Sequence, residues 1–215
     1  MKIKFTDTSH NQYEDSADEV KYSKDERSGK LYIGNRDCAS FLQLRSRKCL
    51  TVVNCAADMH GLSRESDVKY LNIDPDLKDS FEDSFIFIDK ALSKGKNVTV
   101  QCENGLGKSA VIVLNFLMRK MSISLAESHT LLVKARKEKM KINPTLVGKL
   151  IAEEKKIRNS ISICLDGRNI IPLNTVSRGK KAGASSKGSP IIAVAVFVGF
   201  IGILYGVLLF ATGKT

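Results

Sequence analysis

A β-rich run, Asn97-Val-Thr-Val-Gln101, leads into Cys102-Glu-Asn-Gly-Leu-Gly-Lys-Ser109 and then into an apolar stretch through Leu114. Strand, glycine loop and helix in that order make an anion site. The loop amides, and the positive end of a helix starting near Lys108, would converge on a bound phosphate or sulfate. Cys102 adds a thiol to that site, Lys108 a cation and Ser109 a hydroxyl. Two phosphate chemistries use such a set. In one, Cys102 attacks phosphorus as a thiolate in an electropositive setting. In the other, the octet is a nucleotide loop, one residue from G-x-x-x-x-G-K-[ST], with Cys102 in place of the first glycine. Lys108 would then reach the β- and γ-phosphates and Ser109 would hold Mg²⁺. Against the second reading, only about 80 residues separate the loop from the apolar stretch beginning at Pro190, and the strand before the loop is not the first of its sheet.

Either chemistry needs a framework. Lys30–Gly34, Leu50–Ala56, Val68–Ile73 and Val98–Gln101 read as strands, and Ala39–Leu44 as a short helix between the first two. Phe81, Phe85, Ile88 and Leu92 recur at helical spacing over Phe81–Ser93. After the loop, Ser109–Lys120 reads as a buried helix, followed by amphipathic helices over Ser124–Lys137 and, past the Asn143-Pro144 breaker, Thr145–Asn159. The result is an α/β chain with its anion loop at a strand's carboxyl end, where open sheets place ligands. A hairpin with an Asp166-Gly167 turn is expected within Ile161–Leu173.

The residues outside this framework divide as follows: a polar lead-in over 1–28, the α/β domain over 29–160, the hairpin over 161–174, a basic flexible linker over 175–189, and an uncharged stretch over 190–212. From Ile191 that stretch holds 22 residues, about 33 Å as a helix against roughly 30 Å of hydrocarbon, and reads as a transmembrane helix. Arg178, Lys180, Lys181 and Lys187 precede it and only Lys214 follows, so the body is expected in the cytosol, tail-anchored in a membrane. The length of the span favours the endoplasmic reticulum, and the basic flank is compatible with the mitochondrial outer membrane. Gly202 and Gly206 form a G-x-x-x-G pair that would let two spans approach as a homodimer. The acid-rich N-terminus excludes a secretory signal or transit peptide.

The net charge is +11, concentrated over Lys134–Arg158 with nine Lys/Arg against three Asp/Glu. Anionic lipid head groups are its simplest partner, a solvated helix face the plainer alternative. Nucleic acid is not expected, because no recognition motif accompanies the charge. The five cysteines lack C-x-x-C spacing, three of them read as core, and the three histidines are scattered, so neither metal nor cofactor is expected.

From Leu31 to about Lys156 the chain resembles the dual-specificity phosphatases of the cysteine-based protein-tyrosine-phosphatase superfamily. The resemblance rests on Leu31-Tyr32-Ile33-Gly34 followed by Ala39, Val53-Asn54-Cys55-Ala56, Tyr70-Leu71-Asn72-Ile73, Phe87-Ile88-Asp89-Lys90-Ala91, and their order before Cys102. It implies a three-layer α/β fold with a central mixed sheet, and a loop that in the family reads His-Cys-x5-Arg-Ser/Thr. Cys102 then takes the nucleophile position, Ser109 the assisting hydroxyl, and Glu103, Asn104, Gly105, Leu106, Gly107 and Lys108 the phosphate-binding loop, supported by Gln101 and Asn54. Two positions depart. Gln101 stands for the histidine and Lys108 for the arginine, which removes the planar fork that holds two phosphate oxygens at once. Losing one charge-assisted bond of about 1.5–3 kcal/mol would slow turnover by roughly ten- to over a hundredfold. The general acid is expected among Asp74, Asp76 and Asp79, with Asp76 favoured. The rim acid Glu103, with no basic residue between Cys102 and Gly107, points to phosphorylated protein and away from a phosphoinositide head group.

Overall fold

A computed structural model describes residues 17–57, 66–73, 80–137, 140–166 and 169–173. Five strands, β1 (Asp18–Val20), β2 (Leu31–Gly34), β3 (Cys49–Asn54), β4 (Lys69–Asn72) and β5 (Asn97–Gln101), make one sheet in the order β1-β2-β5-β3-β4. Only β1 runs antiparallel to its neighbour, so the sheet is mixed. Val98, Thr99, Val100 and Gln101 of the central strand are all buried, as a strand covered on both faces requires. That burial is why β5 shows no alternation of apolar and polar residues.

Successive residues of a strand face opposite sides, and β3 shows the division. Val52 packs with Ala39 and Leu44 beneath a 3-10 turn (Arg36–Ala39) and α1 (Phe41–Ser46), whereas Val53 joins the larger core. That larger core lies under α2 (Ser80–Leu92), α3 (Lys108–Met121), α4 (Leu125–Arg136) and α5 (Pro144–Arg158). α3 occupies its centre, with every residue from Ser109 to Met118 buried. The helix expected over Ala39–Leu44 is divided: Ser40 is extended (φ −67°, ψ 157°), ending the 3-10 turn and serving as the N-cap residue of α1.

Helix starts follow their capping residues. Ser124 forms a capping box with Glu127 at α4, and Asn143 accepts from the Thr145 N–H at α5, with Pro144 in the first turn. The hairpin forms between β6 (Ile163–Asp166) and β7 (Asn169–Pro172). Within the stretch expected as a polar lead-in, Asp18–Val20 is the edge strand β1. Arg136 of α4 holds it through Asp18 at 2.7 Å. A three-residue strand in which only Val20 is buried carries no periodicity to detect. Asp74, Asp76 and Asp79, the linker over 175–189 and the apolar stretch over 190–212 lie outside the described residues. Among the described residues no helix is long and apolar enough to cross a membrane.

Candidate active site

The four parallel strands end in register, placing Gly34, Gln101, Asn54 and Asn72 in one row across the sheet. Amides link three of the four. Gln101 Nε2 donates to Asn54 Oδ1, which also accepts from the Ala56 N–H at 3.0 Å, and Asn54 Nδ2 donates to Asn72 Oδ1 at 3.1 Å. The Cys55 N–H donates to the Gln101 carbonyl at 2.8 Å. This neutral row is the floor beneath the loop. Gln101 is fully buried, and its Oε1 has no hydrogen-bond partner among the described residues. The glutamine therefore orders the floor without bringing charge to it.

Cys102 leaves the end of β5 as a buried residue, and its Sγ stands 3.1 Å from Ser109 Oγ in the first turn of α3. Gly105 has φ +70°, and a Cβ there would fall 2.5 Å from the Gly34 carbonyl carbon. Only glycine lets the loop lie this close on the end of β2. Leu106 is buried, and its carbonyl accepts from the Lys141 N–H at 2.9 Å, which ties the loop to the connection between α4 and α5. Glu103 Oε1 accepts from the Ala57 N–H at 3.1 Å, tying it to the end of β3. Asn104 Oδ1 accepts from the Leu106 N–H at 3.0 Å. Gly107 is the N-cap residue of α3 and supplies no capping side chain, so none competes for the first amides of the helix.

Above the loop opens a cavity of about 760 Å³, lined by Cys102, Glu103, Asn104, Gly107 and Lys108 on one side. Lys141, Asn143, Thr145, Leu146 and Lys149 line the other. Three lysines thus face one space with the thiol, although no base lies between Cys102 and Gly107 in sequence. Lys141 and Lys149 were legible only as part of a basic run whose partner was read as lipid or water. The contact of Leu106 with Lys141 places that part of the run beside the site. The neighbouring Cys55 is also buried; burial first, and Cys102 second, push its thiol well above the ordinary cysteine range. Cys55 is therefore held as an inert thiol.

The set can seat an anion on loop and helix amides, present a sulfur to it, and place the Ser109 hydroxyl beside that sulfur. Cys102, Glu103, Asn104, Gly105, Leu106, Gly107, Lys108 and Ser109 come together as one site, with Gln101 and Asn54 beneath it. Among the described residues that line the cavity Glu103 is the only acid, and its carboxylate is engaged by Ala57.

Residues 31–156 match the family model described as "Dual specificity phosphatase, catalytic domain". The chain is 28% identical over 136 residues to Dual specificity protein phosphatase 9 of Homo sapiens, covering 60% of this chain and 35% of that protein. It is 30% identical over 131 residues to Protein-tyrosine-phosphatase IBR5 of Arabidopsis thaliana, covering 60% of this chain and 50% of that one. The chain thus spans only a third to a half of these relatives. The crystal structure of human DUSP28 superposes with a TM-score of 0.56 at 24% identity, over 65% of this chain and 95% of that one, a likeness of fold.

Proposed function

The chain belongs to the dual-specificity phosphatase family, and on that premise we propose that it captures phosphorylated protein at its Cys-x5-Lys loop with weak or no turnover. The observation that carries this reading is Lys108. It begins α3 and lines the cavity beside Cys102, where the family's loop has arginine. An ammonium can attract a phosphoryl group as a point charge but cannot hold two of its oxygens in one plane. Binding is retained and the fixed geometry of the transition state is lost. Lys141 and Lys149 add charge on the opposite wall, which suits a phosphorylated segment with further acidic groups.

One observation favours the second reading, an active protein-tyrosine or serine/threonine phosphatase working through a cysteinyl phosphate. The Cys102 Sγ and Ser109 Oγ atoms remain 3.1 Å apart, so the nucleophile and its assisting hydroxyl are intact. In that case Asp76 is the preferred acid, with Asp74 and Asp79 as the other choices. The nucleotide-loop reading has no such support, since the family match spans the loop. Hydrolysis of phosphotyrosine and phosphothreonine peptides by the purified full chain separates the two. Turnover that vanadate inhibits, that Cys102→Ser abolishes and that Lys108→Arg does not raise would establish the active enzyme. Binding of the same peptides without turnover establishes the capturing role.

The apolar stretch over 190–212 is proposed to anchor this domain in a membrane with the domain in the cytosol, the endoplasmic reticulum favoured over the mitochondrial outer membrane. Its support is the length and lack of charge of that stretch and the lysines before it. Anionic lipid head groups would meet the basic charge over Lys134–Arg158 and the linker, and Gly202 with Gly206 would pair two spans.

A further inference from the structure

Asn104 is the side chain whose place in the loop the capture of a phosphate does not explain. Its Oδ1 accepts from the Leu106 N–H at 3.0 Å and from the Cys102 thiol at 3.7 Å. The Leu106 donor fixes which end of the carboxamide points inward, because only the oxygen can accept there. A Cβ on Gly107 would lie 3.9 Å from the same oxygen, so Oδ1 lies beside Gly107 as well as beside the sulfur. A phosphorus atom poised for attack stands about 3–3.5 Å from the nucleophile, and with P–O bonds of about 1.5 Å roughly perpendicular to the line of attack its oxygens lie about 3.3–3.8 Å from the sulfur. An oxygen 3.7 Å from Sγ and bonded to a loop amide therefore stands where a phosphoryl oxygen would.

We propose that Asn104 is an internal competitor for the phosphoryl group, its carboxamide oxygen occupying the seat of one phosphate oxygen until an incoming anion displaces it. This rests on reading the loop as a phosphate site. Seating a phosphate then requires the Asn104 side chain to rotate toward the cavity, which it already lines and where it is exposed. The residue sets the affinity of the loop for small anions without touching the cation at Lys108. It also favours ligands whose other groups reach Lys141 and Lys149, since those contacts offset the displacement. If Asn104 instead only stabilises the turn, its removal loosens the loop and weakens anion binding, so the two roles predict opposite signs.

The test is titration calorimetry of the purified full chain with inorganic phosphate and with orthovanadate, comparing the parent with Asn104→Ala and Asn104→Asp. Freeing the Leu106 amide should tighten binding to Asn104→Ala about tenfold. Asn104→Asp keeps the hydrogen bond and the shape but puts a carboxylate in the seat, and should weaken binding about tenfold. The aspartate variant keeps the loop bonded to itself and so gives an answer if the alanine variant does not fold. A parent that binds, with an alanine variant that binds no tighter or an aspartate variant that binds equally well, overturns the competitor role and leaves the phosphate loop standing. No binding by any of the three at millimolar anion overturns the phosphate loop, and the competitor role with it.

Discussion

Positive charge at Lys108 reaches a phosphoryl group along a flexible four-carbon stem, whereas a guanidinium arrives as a rigid fork. Substituting Lys108→Arg, with Gln101→His to restore charge beneath the loop, should raise kcat/KM for phosphotyrosine peptides by about ten- to a hundredfold. The gain should disappear when Cys102→Ser is added. No gain would mean that the acid or the cavity, and not the cation, limits the reaction. Asn54 has a different importance, because its Oδ1 accepts from both Gln101 Nε2 and the Ala56 N–H. Asn54→Ala leaves two buried donors without an acceptor and should cost about 2–3 kcal/mol, measured by urea unfolding. Asn54 was legible in the sequence as a support for the loop. Its pairing with Asn72 was not, because the register that brings them together depends on a crossover between β3 and β4 that no local pattern encodes.

Around α4 the elements satisfy one another's ends. The fully buried Glu154 of α5 accepts from the Leu125 N–H at 2.8 Å, the Ser162 N–H at 2.9 Å and the Ser162 hydroxyl at 2.6 Å. Ser162 Oγ in turn accepts from the Ala126 N–H at 3.0 Å, and Ser124 Oγ from the Glu127 N–H at 3.2 Å. Three amides at the start of α4 are thus capped, two of them from distant residues. Glu154→Ala should cost about 3 kcal/mol in urea unfolding, and Ser124→Ala about 1 kcal/mol. Glu154→Gln, which keeps an acceptor, should cost less than Glu154→Ala. His129, on the same helix, is held below its ordinary pKa of 6.5 by burial. The unfolded chain therefore takes up this proton first on acidification, so stability should fall as pH drops below about 6.5 and level off below the folded value. His129→Leu should flatten that slope between pH 7.5 and 5.5 in urea midpoints. An unchanged slope would mean that the histidine titrates alike in both states. The helices themselves were legible from Ser124, Asn143 and Pro144; Glu154 was not, because one of three acids in the basic run over Lys134–Arg158 looks solvated until Ser162 and the start of α4 are folded against it.

For the whole molecule, the strands and helices that position the loop could be read from apolar periodicity and turn residues because each repeats a local rule. The reach of α5 to the cavity wall, the edge strand β1 and the Arg136 clamp on Asp18 could not, since each depends on a contact between distant residues. The apolar stretch over 190–212 is the opposite case, a feature legible from composition alone. Its proposed role can therefore be tested without disturbing the loop. Phe200 and Ile203 lie near the middle of the stretch, and a lysine at the centre of a span costs about 2.5–3.5 kcal/mol on insertion scales. Phe200→Lys with Ile203→Lys should thus remove roughly 5–7 kcal/mol of insertion free energy and release the chain from membranes. Extraction of cell membranes at alkaline pH reads this directly: the parent should stay with the lipid and the double variant move to the supernatant. Phosphopeptide binding by the released chain should match that of the parent, because the substitutions lie far from Cys102 in sequence. A parent extracted as readily as the variant would sink the anchor and leave the loop chemistry untouched.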